Sequence, residues 1–203
     1  MAARIAVVYY SSTGNVHALA RALARGAAEA GAEVRLRRVA ETAPDGAVDA
    51  NPEWRAHLDA TADVPVAGLD DLAWADGYAF GSPTRFGNVA AQLKQFIDTT
   101  GGLWSAGALV GKAATGFTSS HERHGGQEAT LLALYNVMYH WGSIIVPTGY
   151  ADYDIIHAAG GNPYGIGTVA GEGAPRKDLL TAAEFQGGRL ARAAAALAPL
   201  RAA

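Results

Sequence analysis

Cysteine is missing from all 203 residues. That excludes a disulfide framework, a thiol redox centre and a cysteine-ligated metal. Charge is sparse: 17% of residues are Asp, Glu, Lys or Arg, and the formal net charge is -3. A nucleic-acid binder carries a strongly basic balance, and this chain does not. Long apolar runs are lacking too, and the strongest fall far short of the ~20 residues a membrane span needs. The opening run, Ile5 to Tyr10, is too short for a signal peptide and has no cleavage region. The expectation is a cytoplasmic protein. Apolar residues, by contrast, make up 50% of the chain, enough for a large core and against global disorder. The length suits a single domain over 1–203 with a sizeable insertion.

Arg4 to Tyr10 is a β-branched and aromatic run without alternation, as in a parallel strand covered on both faces. Ser11-Ser12-Thr13-Gly14-Asn15 breaks it, and helical spacing then runs from Val16 through Ala20, Leu23 and Ala27 to a stop at Gly31. Glu33 to Val39 alternates, as an edge strand does. Residues 41–75 hold eight acidic residues and one basic one, with Pro44, Pro52 and Pro65. They read as an acidic surface insertion around 41–70, its carboxylates a solvated face. Short helices are expected within this stretch at Pro52 to Leu58 and Leu69 to Trp74.

Further strand–loop–helix units follow. Gly77 to Phe80 is a strand, and Gly81 to Gly87 is its loop. Ala113 to Phe117 is a strand, followed by a polar loop at 118–127. Ser143 to Val146 is a fourth apolar strand of this kind. A Gly-rich loop at 160–173 then leads to an Ala-rich terminal helix near Ala182 to Leu197. Strands alternating with helices imply an α/β doubly wound parallel sheet.

Ligands of such sheets bind beyond the carboxyl ends of the strands. Three polar loops stand there: 11–16, 82–88 and 118–126. The first joins three hydroxyl residues to Gly14 and Asn15 at a helix start, with no acidic residue between Met1 and Arg25. Hydroxyls and N–H groups at a helix N-terminus suit a phosphate monoester. The plainer alternative, a Ser/Thr N-cap, needs one hydroxyl rather than three. No G-x-G-x-x-G follows the first strand, and Gly111-Lys112 lacks the rest of a Walker A loop. In the second loop Phe86 is placed to lie on a flat aromatic ligand. His121 and His124 lack a third ligand, so no metal is expected. His17 and His57 read as surface residues. Ser82 and Ser119 lack the G-x-S-x-G elbow of a hydrolase.

These motifs carry a resemblance. Ser11-Ser12-Thr13-Gly14-Asn15 resembles the flavodoxin phosphate loop. Pro83-Thr84-Arg85-Phe86-Gly87, Thr100-Gly101-Gly102-Leu103-Trp104, Gly125-Gly126-Gln127-Glu128 and Gly161-Asn162-Pro163-Tyr164-Gly165 are similar to the WrbA-type NAD(P)H:quinone oxidoreductases. The resemblance implies a flavodoxin-like three-layer fold with five parallel strands in the order 2-1-3-4-5, and FMN as cofactor. Ser11, Ser12, Thr13, Gly14, Asn15 and Val16 would wrap the FMN phosphate. Pro83, Thr84, Arg85, Phe86 and Gly87 would line the isoalloxazine. Ser119 and Ser120, with the following loop through His121 to Gly125 and Gly126, would close its other side. Trp104 would belong to the pocket where nicotinamide or quinone stacks, with Arg85 beside it. The family's flavin-contacting histidine aligns with Trp141, which leaves His140 as its substitute here. The third loop is longer and more charged than the family's, and the aromatic at position 13 is replaced by threonine. The family also implies NADH or NADPH as co-substrate, ping-pong two-electron reduction of quinones, and a homotetramer with sites completed across subunits. A flavodoxin-type electron carrier and a flavin-dependent interaction protein are the alternatives; a net charge of -3 is weak for a carrier that docks on basic partners.

Overall fold

A computed structural model describes residues 2–201. The chain runs β1 (Arg4–Tyr9), α1 (Asn15–Glu29), β2 (Glu33–Arg38), α2 (Asp45–Asp49), α3 (Pro52–Ala60), α4 (Leu69–Trp74), β3 (Gly77–Pro83), α5 (Ala91–Asp98) and α6 (Gly101–Ser105). It continues with β4 (Ala113–Ser120), α7 (Gln127–His140), β5 (Ile144–Ile145), α8 (Tyr153–Ala158), β6 (Gly167–Val169) and α9 (Lys177–Arg201). The sheet is parallel in the order β2-β1-β3-β4-β5, with β6 also on β4. This is the flavodoxin-like topology the sequence implied, and β2 is the edge strand.

The fifth position differs from expectation because two short strands share it. β3 pairs with β4 from Ala113 to Ser119 and so occupies one whole side. β5 lies beside Ala113 and Ala114, and β6 beside Thr118 to Ser120, so both take the other side. The chain leaves the sheet between them and forms α8. The Gly-rich stretch read as a loop therefore contains a strand. Gln186 on α9 holds it in place, accepting from Ile166 N–H and donating to the Thr115 hydroxyl and the Gly116 carbonyl. Sequence reading also missed α2, α6 and α8, each only five or six residues long.

Alternate side chains of β1 point to opposite layers, as strand geometry requires. Ile5, Val7 and Tyr9 join the core under α1 and α9. Ala6, Val8 and Tyr10 join the core under α4, α5 and α7. Each large apolar side chain fully buried there contributes roughly 1.5–3 kcal/mol. α1 and α9 cross at backbone contact. A Cβ built on Gly187 would lie 2.0 Å from the Leu23 carbonyl oxygen, and one on Gly26 1.9 Å from that of Glu184. Trp141 is buried edge-on against Tyr78 and tilted on Phe80, a core role rather than a cofactor contact.

The acidic stretch is only partly a solvated face. Asp71 is buried and paired with Arg35 and Arg37, at 3.2 and 3.0 Å. Glu41 is a junction: it accepts from the Tyr10 hydroxyl (2.8 Å), Trp54 Nε1 (3.0 Å), Gln92 Nε2 (2.7 Å) and the N–H groups of Thr42 and Ala43. Burial alone would push its carboxyl up. The Ala43 N–H and the side chains of Gln92, Tyr10 and Trp54 outweigh that and hold it below 4.5.

Gly187→Ala drives a methyl into a carbonyl and is expected to cost about 3 kcal/mol or to prevent folding. Gly188→Ala meets chiefly the flexible Arg192 side chain and should stay within about 1 kcal/mol of the parent. Urea unfolding of both variants checks the contrast. A depressed carboxyl pKa stabilises the fold above its unfolded value and loses that contribution as pH falls through the folded value. Glu41→Gln should therefore be less stable than the parent at pH 7, with the difference shrinking as thermal unfolding is repeated below about pH 4.

Candidate flavin site at the strand ends

Loops after β1, β3 and β4 meet at the carboxyl edge of the sheet. They enclose a cavity of about 340 Å³ lined by Ser11, Ser12, Thr13, Asn15, Val16, Pro83, Thr84, Arg85, Ser119, Ser120, His121, Glu122, Gly125 and Ala170. Thus the three loops singled out in the sequence converge on one space.

The first loop enters α1 through Gly14, whose φ of +100° places it in the left-handed region. No side chain caps α1, and its first turn holds no acidic residue. Ser11 Oγ accepts from Gly14 N–H at 3.1 Å. Among the described residues, the Ser12 and Thr13 hydroxyls have no protein partner. The buried Oδ1 of Asn15 has none either; turning the amide over by 180° would present its NH2 donor there instead. A helix start with free N–H groups, uncommitted hydroxyls and an orphaned amide fits a phosphate monoester.

The second and third loops are tied together. Ser82 Oγ accepts from Ala90 N–H and fixes the exit from β3. Thr84 N–H donates to the Ser119 carbonyl (2.7 Å), and its hydroxyl accepts from Gly87 N–H and from the Thr130 hydroxyl (2.8 Å). Gly126, at φ +93°, starts α7 against Gly87: an added Cβ would lie 3.0 Å from the Gly87 Cα. A side chain at 126 would therefore be both strained and crowded. Gln127 Nε2 donates to Ser120 Oγ, which donates to the Glu122 carbonyl. Gly87 and Gly126 shape the cavity from behind without lining it.

Phe86 stands at the tip of a two-residue turn closed by Arg85 and Asn88, which exchange backbone hydrogen bonds of 2.7 and 3.0 Å. Its φ is +54° and its side chain is fully exposed, at 107%. A left-handed bulky residue costs about 1–3 kcal/mol and is found where surroundings or function require it. Arg85 is exposed, with Nη1 donating to the Thr84 carbonyl. His121 and Glu122 are exposed at the cavity rim, 3.7 Å apart.

Two expected site residues stand elsewhere. α5 and α7 start at the carboxyl edge of the sheet and run back, α7 for 14 residues, or about 21 Å. Their far ends carry His140 and deliver Trp104 to the amino edge of the sheet. There Trp104 Nε1 donates to the His140 carbonyl at 2.9 Å. The two line a separate groove of about 280 Å³ with Lys94, Ile97, Asp98, Thr100 and Val137. Within one chain they do not reach the phosphate loop.

The sequence reading missed Ala170 and the burial of two histidines. Ala170 reaches the cavity because β6 adds to β4, and Thr168-Val169 after Gly167 was the faint strand signal. His17 and His57, expected on the surface, are half-buried behind the phosphate loop. Burial lowers both imidazoles, His17 to about 4. Among the described residues no group of three or more His, Asp or Glu side chains is placed to hold a metal ion.

Comparison with known proteins agrees with this geometry. The sequence profile of the family described as NADPH-dependent FMN reductase matches residues 3–156. An NAD(P)H dehydrogenase (quinone) of Geobacter sulfurreducens is 47% identical over 206 residues, covering 95% of this chain and 98% of that protein. A protein of the same name from Deinococcus radiodurans is 47% identical over 167 residues, covering 82% and 83%. Among solved structures, the flavodoxin, WrbA-like protein from Agrobacterium tumefaciens superposes with a TM-score of 0.70 at 23% identity, covering 96% of this chain and 99% of that one. An archaeal flavodoxin gives a TM-score of 0.63 at 19% identity, covering 95% and 99%. The chain belongs to the NADPH-dependent FMN reductase family and, within it, to the NAD(P)H dehydrogenase (quinone) group.

Proposed function

We propose that this protein is an FMN-dependent NAD(P)H:quinone oxidoreductase. The observation that carries the reading is the acid-free, uncapped start of α1, facing a cavity between the loops that follow β1, β3 and β4. FMN held in this cavity would supply the redox chemistry, two-electron transfer between NADH or NADPH and a quinone. The chain's own residues bind and orient. Ser11 to Val16 would hold the phosphate through hydroxyls and N–H groups. Pro83 to Arg85 line the cavity and would meet the ring's polar edge, and the exposed Phe86 on the same turn would offer it an apolar face. Arg85, which lines the cavity, would offset negative charge on a reduced ring held there, since a cation stabilises charge where it develops. Ser119 to Gly126 form the opposite wall. No side-chain nucleophile is required. One mouth serves both substrates, so nicotinamide and quinone occupy it in turn.

The reading extends to one flavodoxin-like domain, residence in the cytoplasm and assembly as a homotetramer. No helix among the described residues is long and apolar enough to cross a membrane. Trp104 is 55% exposed, and Tyr139 and Val110 are also exposed. With Trp104 and His140 at the far edge of their own sheet, they serve a flavin only across a subunit boundary.

Purified protein loaded with FMN should bleach on addition of NADH or NADPH and recover its colour with benzoquinone. Bleaching without recovery would indicate a different acceptor. Double-reciprocal plots should be parallel; intersecting lines would contradict the shared mouth. Thr13→Asp sets a carboxylate against the phosphate and should weaken FMN binding by at least about 100-fold. Unchanged affinity, read by quenching of flavin fluorescence, would displace the phosphate from this loop.

A further inference from the structure

The acidic segment touches the phosphate loop through a histidine. His57 on α3 rests its ring on Gly14: a Cβ built there would lie 3.4 Å from His57 Nδ1 and 3.8 Å from its Cε1. The same ring meets His17 edge to face, with centroids 5.4 Å apart. His17, on the first turn of α1, shares a hydrogen bond of 2.5 Å between Nδ1 and the Tyr9 hydroxyl. The backbone behind His57 is itself pinned, because the Thr61 N–H and hydroxyl both donate to its carbonyl. Three rings from β1, α1 and α3 thus form a continuous run of tilted and edge-on contacts ending at Gly14.

Gly14 is the left-handed residue at which the chain turns into α1. The direction of the N–H groups that follow depends on that turn. A glycine so placed is free to adopt many conformations unless something rests on it. Apart from its chain neighbours, His57 alone among the described residues lies within 4 Å of the position its Cβ would take. The cradle also contains no lysine or arginine between Ser11 and Val16, so its grip on an anion relies on aligned dipoles, which lose strength steeply when misdirected.

We propose that His57 is a positioning residue for the phosphate loop, and that the segment carrying it is a latch holding Gly14 in the geometry that receives a flavin phosphate. The proposal rests on the FMN reading above. Both imidazoles are kept neutral near pH 7 by burial. Arg21 and Asp63 act on His17 with opposite sign. Arg38 and Glu41 stand beside His57 in the small cavity next to the loop, and each has its own partners. The latch therefore works by packing and the Tyr9 hydrogen bond, not by adding a cation. A second junction, Glu41 with Tyr10, Trp54 and Gln92, fastens the same segment to β1 and α5.

The test separates phosphate recognition from stability. Flavin-free protein is titrated with FMN and, separately, with riboflavin, which lacks the phosphate, and binding is read by flavin fluorescence. His57→Ala should weaken FMN binding by about 10-fold, or ~1.4 kcal/mol, while riboflavin affinity changes less than about twofold. His57→Asn keeps a planar polar group against Gly14 and should recover most of the lost FMN affinity. Tyr9→Phe, which frees His17, should give a smaller loss, again confined to FMN. Glu53→Gln, exposed on the same helix, should change neither. Equal losses for FMN and riboflavin, or an intact FMN preference in His57→Ala, would overturn the latch and leave the FMN reading standing. A parent protein that binds riboflavin as tightly as FMN would overturn both. Should His57→Ala fail to fold, the Asn and Phe variants decide by the same FMN-to-riboflavin ratio.

Discussion

A phosphate dianion must be surrounded by donors and kept from carboxylates, and the uncapped, acid-free start of α1 meets that requirement. β1 is buried on both faces and ends level with β2, two residues short of the end of β3. The chain then turns at Gly14 into a helix without a side-chain cap. An unsatisfied helix start is ordinarily a cost. Here it creates a set of N–H groups with no competing partner, at the edge of a parallel sheet where ligands gather.

The remaining walls of the cavity are held by contacts between loops rather than within them. Thr84 receives from Thr130, Gly87 packs on Gly126, and Ser120 is set by Gln127. The long strand β4 makes this possible by carrying its register up to Ser120. Splitting the fifth position between β5 and β6 then lets the chain return to that end of β4 and deliver Ala170 to the cavity. Phe86, the one non-glycine residue with positive φ among the described residues, stands exposed at the tip of the turn after β3.

The acidic segment is more than a solvent-facing excursion. Its carboxylates divide into exposed ones and two, Glu41 and Asp71, that tie it to the sheet and to α5. Buried or half-buried charges persist where several donors satisfy them. Around Glu41 five donors do so from three parts of the chain. That fixed platform sets His57 against Gly14 in the loop after β1.

Local information in the sequence was enough for the parallel sheet and for the three loops at its carboxyl edge. The apolar run at Arg4 to Tyr10, the helical spacing after Val16 and the hydroxyl turn between them act through neighbours a few residues away. Strand order came with the resemblance, because no local pattern encodes which strands adjoin. The split fifth position was hidden because β5 and β6 have only two and three residues, too few for a period to register. His17 and His57 read as surface residues since their burial depends on partners 40 positions apart in the chain. Trp104 and His140 showed the reverse: their motifs suggested the cofactor pocket, but helix length carries them to the other edge of the sheet. Sequence by itself determined which segments are strand, helix and polar turn, because those follow from side-chain periodicity and backbone preference. Tertiary structure alone decided which turns face one another and which histidine rests on which glycine, because those contacts join residues that no local rule relates.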